Sequence, residues 1–106
     1  MNNLSATSEQ PSSLTARMEL AVNGAALLYA RGAGRVWLFG SLERGYAQDE
    51  HSDIDLAVEG LSRNIVRLMA SELPRLLGCS VDLIEMETVL PYLRSYIVRK
   101  RTLMPK

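Results

Sequence analysis

Apolar residues recur at intervals of three and four from Leu14 onward: Leu14, Met18, Val22, Ala25 and Leu28 or Tyr29. This period predicts a helix, with Ser13 as its N-cap and Gly32 and Gly34 as its stop. The pattern then changes. RVWLF (35–39) is apolar at consecutive positions, which predicts a strand covered on both faces. SDIDLAV (52–58) predicts a second strand, ended by Gly60. Helical spacing returns over 63–77 through Ile65, Leu68, Met69, Leu73, Leu76 and Leu77. Pro74 stands inside that run and should kink the helix or start a new turn, because a straight helix through it costs about 3 kcal/mol. SVDLIEM (80–86) predicts a third strand. Thr88 is then expected to cap a last helix running to about Arg101, with Pro91 in its first turn. Leu90, Leu93, Ile97 and Tyr96 are its candidate core face, and RKRTLMPK follows as a basic tail.

The predicted order is helix, strand, loop, strand, helix, strand, helix. This is an α/β arrangement of α+β-like character, with a small mixed sheet flanked by helices. Residues 1–12 are rich in Asn, Ser, Thr and Gln and are expected to form a flexible tail. Residues 13–106 are expected to form one domain, and no linker or repeat divides them.

Composition narrows the function. The 106 residues include 12 basic and 12 acidic side chains, so no global field points to nucleic acid or a membrane surface. The single cysteine, Cys79, excludes a disulfide framework within the chain and suits a small buried hydrophobe. No apolar run approaches the roughly 20 residues that span a bilayer. The N-terminus lacks the basic and apolar regions of a signal peptide, so a cytoplasmic setting is expected.

The chemistry concentrates in LFGSLERGYAQDEHSDIDLAV (38–58). Alternation along a strand turns Asp53 and Asp55 to the same side, while Ile54, Leu56 and Val58 face a core. Two carboxylates about 4 Å apart repel by roughly 4 kcal/mol at an effective dielectric near 20. A divalent cation offsets that repulsion, and hard oxygen donors suit Mg²⁺ or Mn²⁺. Asp82 occupies the start of the third strand. If the intervening helix is a crossover between parallel strands, Asp82 joins the pair. Three carboxylates at one sheet edge suit the two-metal arrangement used for in-line phosphoryl or nucleotidyl displacement. Antiparallel pairing of the first two strands would bring Gly40-Ser41 beside Asp53. Glycine lets backbone approach a ligand closely. Ser41 is expected to cap the short helix LERG, whose free N–H groups suit a triphosphate. Arg44 follows one turn on as a candidate to contact phosphate or to help fix the loop. No histidine or cysteine ligand is required, which argues against zinc. Taken singly, Gly-Ser is a common turn and Asp-x-Asp a common solvated strand end. Their order and placement together carry the reading.

Gly40-Ser41, eleven intervening residues, Asp53-Ile54-Asp55-Leu56 and a later Asp82 in VDLI resemble the minimal nucleotidyltransferases of the DNA polymerase β-like superfamily. Glu43-Arg44-Gly45 stands where that group often has Ala-Arg-Gly. The resemblance covers about residues 14–100 and implies the polymerase β-like fold. It implies that Asp53 and Asp55 bind the metal ions, that Asp82 is the third carboxylate and activates the acceptor hydroxyl, and that Gly40 and Ser41 hold the triphosphate of ATP. One subgroup consists of antitoxins that transfer AMP to a tyrosine of a HEPN-domain ribonuclease toxin. The resemblance therefore implies such a toxin as partner, with no direct nucleic-acid binding and no membrane. The rival expectations are an antitoxin that only occludes its toxin and an aminoglycoside nucleotidyltransferase. The latter is disfavoured because the sequence is expected to contain no second substrate domain.

Overall fold

The computed structural model describes residues 14–43 and 54–106. The expected N-terminal tail with Ser13, and the candidate site residues Arg44 and Asp53, lie outside the described residues.

Helix α1 (Leu14–Ala30) forms as expected, and Ala25 and Leu28 of the expected face are buried with Met18 packed beside them, but its first half is turned from the expected face. Arg17, Ala21, Gly24, Ala25 and Leu28 point inward, whereas Leu14 and Val22 are 41% and 37% exposed. Apolar residues occur on most sides of this helix, so spacing alone does not select its buried stripe. Close approach selects it. A Cβ added to Gly24 would stand 3.1 Å from Leu77 Cδ1 and 3.4 Å from Leu56 Cδ1. The small side chains of Ala21, Gly24 and Ala25 let the helix lie close to its neighbours.

Strand β1 (Arg35–Phe39) leads directly into a four-residue helix, α2 (Gly40–Glu43). Ser41 therefore sits second in α2 rather than capping a helix that begins at Leu42. Strand β2 (Ile54–Glu59) runs antiparallel to β1, with Phe39 opposite Asp55 and Arg35 opposite Glu59. Helix α3 (Arg63–Leu77) crosses over to strand β3 (Val81–Glu85), which pairs parallel to β2. Pro74 lies within α3 and neither ends it nor starts a new helix. The helix stops three residues beyond it, where Gly78 adopts φ 73° and donates its N–H to the Pro74 carbonyl. Val66, Met69 and Leu73 are the buried positions of α3, while Leu68 and Leu76 are exposed.

Helix α4 spans Pro91–Arg99, shorter than expected at both ends. Proline at the first helical position drives the preceding residue into extended backbone, so Leu90 is the N-cap. Thr88 instead belongs to the turn after β3, where its N–H donates to the Glu85 carbonyl. Leu90 is exposed, whereas Ile97 is fully buried and Leu93 and Tyr96 are partly so. The expected basic tail contains a fourth strand, β4 (Thr102–Leu103), antiparallel to β1. Met104 follows it into the core, and its N–H donates to the Val36 carbonyl.

The sheet order is β3-β2-β1-β4. One face carries Val36, Leu38, Ile54, Leu56 and Val58 against α1 and α3. The other carries Trp37, Phe39, Ala57 and Ile84 against α4. The result is three layers with two apolar clusters. Cys79 packs at the margin of the first cluster. Among the described residues, no helix is long and apolar enough to cross a membrane.

Candidate active site

The antiparallel β1/β2 pair and the parallel β2/β3 pair bring three functional segments to one edge of the sheet. They are the end of β1 with α2, the start of β2, and the start of β3. Asp55 is the centre of this edge. It stands opposite Phe39 on one side and Asp82 on the other. Register partners in neighbouring strands share a face about 4.8 Å apart. Asp55 and Asp82 therefore both lie on the α4 side of the sheet, the side of Ala57 and Ile84. Asp55 is half-buried and Asp82 is exposed.

Gly40 is placed against Asp55. Its φ is +80°, a region that favours glycine. A Cβ at this position would come 2.0 Å from Asp55 Oδ2 and 2.9 Å from Asp55 Cγ. The carboxylate thus occupies the space that any side chain at position 40 would need. This close approach is the strongest geometric fact about the site. It puts the backbone that opens α2 directly beside an acidic oxygen.

Helix α2 is held from two directions. Leu42 is buried in the α1/α3 cluster. On its far side, Thr102 Oγ1 donates to Glu43 Oε2 at 2.9 Å, which ties the start of β4 to the short helix. Sequence reasoning missed this tie because it assigned Thr102 to a tail.

The expected site residues thus divide into two groups. The fold brings Gly40, Asp55 and Asp82 together, with the backbone of Ser41 one residue further along α2. Asp53 and Arg44 lie outside the described residues. Among the described residues, no group of three His, Cys, Asp or Glu side chains is spaced to hold a metal ion. The two described carboxylates nonetheless fit a hard divalent cation by donor type, and Gly40 leaves backbone rather than side chain beside them. A cavity of about 640 Å³ lies elsewhere, at the opposite sheet edge, where Tyr29, Arg35, Glu59 and Lys106 are among its walls. It contains none of the expected site residues.

One buried charge was also missed. Arg17 is 2% exposed, on the inward stripe of α1. The signal was present in the sequence as Arg17, Ala21 and Gly24, each one position before Met18, Val22 and Ala25 of the expected stripe.

Residues 31–105 match the family described as "Polymerase beta, Nucleotidyltransferase". No curated protein matches the chain. Among solved structures, a proposed minimal nucleotidyltransferase is 30% identical, with a TM-score of 0.71 over 85% of this chain and 94% of that one. A toxin–antitoxin structure with AMP-PNP is 27% identical, with a TM-score of 0.67 over 77% of this chain and 70% of the other. The fold is shared with a tri-AMPylated Shewanella oneidensis HEPN toxin in complex with its MNT antitoxin, at 23% identity, a TM-score of 0.61, and coverage of 80% and 69% of the two chains. The family match spans well over half of the sequence, and it coincides with the strands and the Gly40–Asp55 contact that build the site. The chain belongs to the polymerase β nucleotidyltransferase family.

Proposed function

We propose that this chain transfers AMP from ATP to a hydroxyl of a partner protein, a tyrosine of a HEPN ribonuclease toxin, and so acts as a cytoplasmic antitoxin. The observation that carries the reading is the contact between the Gly40 backbone and the Asp55 carboxylate, with Asp82 in register beside it. The partner class is supported by the toxin–antitoxin complexes among the similar structures.

The residues divide the work by position. Gly40 and Ser41 present backbone N–H groups to the polyphosphate, and Arg44 adds a phosphate contact. Asp53 and Asp55, with Asp82, would hold Mg²⁺ or Mn²⁺. When bound, that ion neutralises phosphate charge and lowers the barrier to in-line displacement. The acceptor oxygen attacks the α-phosphorus and forms a new P–O bond. The bond from the α-phosphorus to the bridging oxygen breaks, and pyrophosphate leaves. Asp82, the more exposed of the two described acids, takes the proton of the acceptor hydroxyl.

The test is mass spectrometry of the partner after incubation with the chain, ATP and Mg²⁺. The expected result is a mass gain of one or more AMP groups on tyrosine. Asp53→Asn and Asp55→Asn should abolish the gain while the two proteins still copurify. A partner that is silenced without any mass gain would show instead that the chain acts by occlusion.

A further inference from the structure

Helix α2 is a single turn, Gly40–Glu43. One turn fixes several backbone dihedrals for very few hydrogen bonds and does not persist by itself. The place of Gly40 beside Asp55 therefore depends on what grips α2 from outside. Leu42 is buried and anchors its middle. Its last residue is held by the C-terminal segment, where Thr102 Oγ1 donates to Glu43 Oε2 at 2.9 Å.

That segment is pinned on both sides of Thr102. Before it, the Arg101 guanidinium lies 3.6 Å from the centre of the Trp37 ring and 3.4 Å from Glu59 Oε2. After it, the Met104 side chain is buried. The Met104 N–H donates to the Val36 carbonyl at 2.8 Å, and the Met104 carbonyl accepts from Tyr29 Oη at 2.8 Å. The same Tyr29 hydroxyl accepts from the Val36 N–H at 3.0 Å. Between these anchors Thr102 stands opposite Leu38, one residue short of Phe39, which stands opposite Asp55. A β-branched side chain on so constrained a backbone has few rotamers. Its hydroxyl is a fixed point at the end of β1 that meets the site.

We infer that Thr102 is a positioning residue for the candidate active site: its hydroxyl holds Glu43, and through the one turn of α2 it keeps the Gly40 backbone against Asp55. The inference rests on the nucleotidyl-transfer reading and adds a residue to it. Thr102 touches no reacting atom in this scheme. It acts by limiting how far α2 moves from the acids.

The test uses the full chain and two variants, Thr102→Val, which removes the donor at nearly constant shape, and Thr102→Ser, which keeps it. Amide exchange by NMR should quicken about fivefold at Glu43 in Thr102→Val, the equivalent of one lost hydrogen bond. The Val36 amide, at the other end of β1, should stay within about twofold of native. At a temperature where all three chains are folded, kcat/KM for AMP transfer to the partner protein should fall about fivefold or more in Thr102→Val and stay within about twofold of native in Thr102→Ser. Unchanged exchange at Glu43, or equal quickening at Val36, overturns the inference. So does a Thr102→Ser chain as impaired as Thr102→Val. If Thr102→Val does not fold, Glu43→Ala removes the same bond from the other side, and the same changes at the position 43 amide and in kcat/KM are expected; native behaviour overturns the inference. A native chain that transfers no AMP defeats the nucleotidyl-transfer reading and this inference with it. A native chain that transfers AMP, with Thr102→Val equally active, defeats only the inference about Thr102.

Discussion

Gly40 meets two demands that no other residue meets together. Its backbone takes φ +80°, and the volume beside its Cα is filled by Asp55 Oδ2. A non-glycine residue in such backbone costs of order 1–3 kcal/mol, and a Cβ here also displaces the carboxylate. Gly40→Ala is therefore expected to lower stability by about 1–3 kcal/mol in urea unfolding. It should lower AMP transfer far more than its stability loss alone would explain. Full activity at reduced stability would show that the Asp55 carboxylate can move without consequence. Both residues were legible in the sequence as members of a motif. Their contact was not, because it depends on the register that sets Asp55 opposite Phe39.

Among the elements, strands were more legible than helix faces. β1 was expected over 35–39 and forms over Arg35–Phe39. Its consecutive apolar residues reflect cover on both faces, and both clusters draw on it. α1 was legible as a helix, and Ala25 and Leu28 as buried positions, but the facing of its first half was not, since Leu14, Met18 and Val22 form an equally regular stripe. What chose the other stripe was the fit of Gly24 against Leu56 and Leu77. A paired substitution tests this. Gly24→Asp places a charge against Leu56 and Leu77 in the buried stripe and should cost about 3 kcal/mol or more. Val22→Asp, two residues away and partly exposed, should stay within about 1 kcal/mol of the native chain. Similar losses for both would contradict the observed rotation. β4 was not legible. Two residues carry too little pattern to register as a strand, and only the free edge of β1 makes that segment pair. The same pairing stations Thr102 against Glu43 of α2 and Arg101 over the Trp37 ring at 3.6 Å. Arg101 also reaches Glu59, as does Arg35, each at 3.4 Å.

The molecule as a whole couples its site to its stability. Asp55 and Asp82 are register partners of like charge at a sheet edge, and like charges directly opposite each other destabilise a strand pair. A ligand that neutralises them binds the folded state alone. Native chain with Mg²⁺ and ATP at about 100 times the dissociation constant should gain about 2.7 kcal/mol of stability. The gain is read as a rise in melting temperature, and it should largely vanish in Asp55→Asn. An equal rise in that variant would place the ligand elsewhere, with the cavity at the opposite edge the first place to look.

Sequence order, local period and turn chemistry were enough to set the helices and three of the strands, and to single out the Gly40, Asp55 and Asp82 segments. These are short-range properties, written in residue spacing and in the backbone limits of glycine and proline. The depth of Arg17, the face that α1 buries, the pairing of β4 and the contact of Gly40 with Asp55 were settled by packing. Each depends on which segments, distant in the chain, compete for the same space. Such competition is resolved by steric fit and by the burial of apolar surface, quantities that exist only once the three layers have come together.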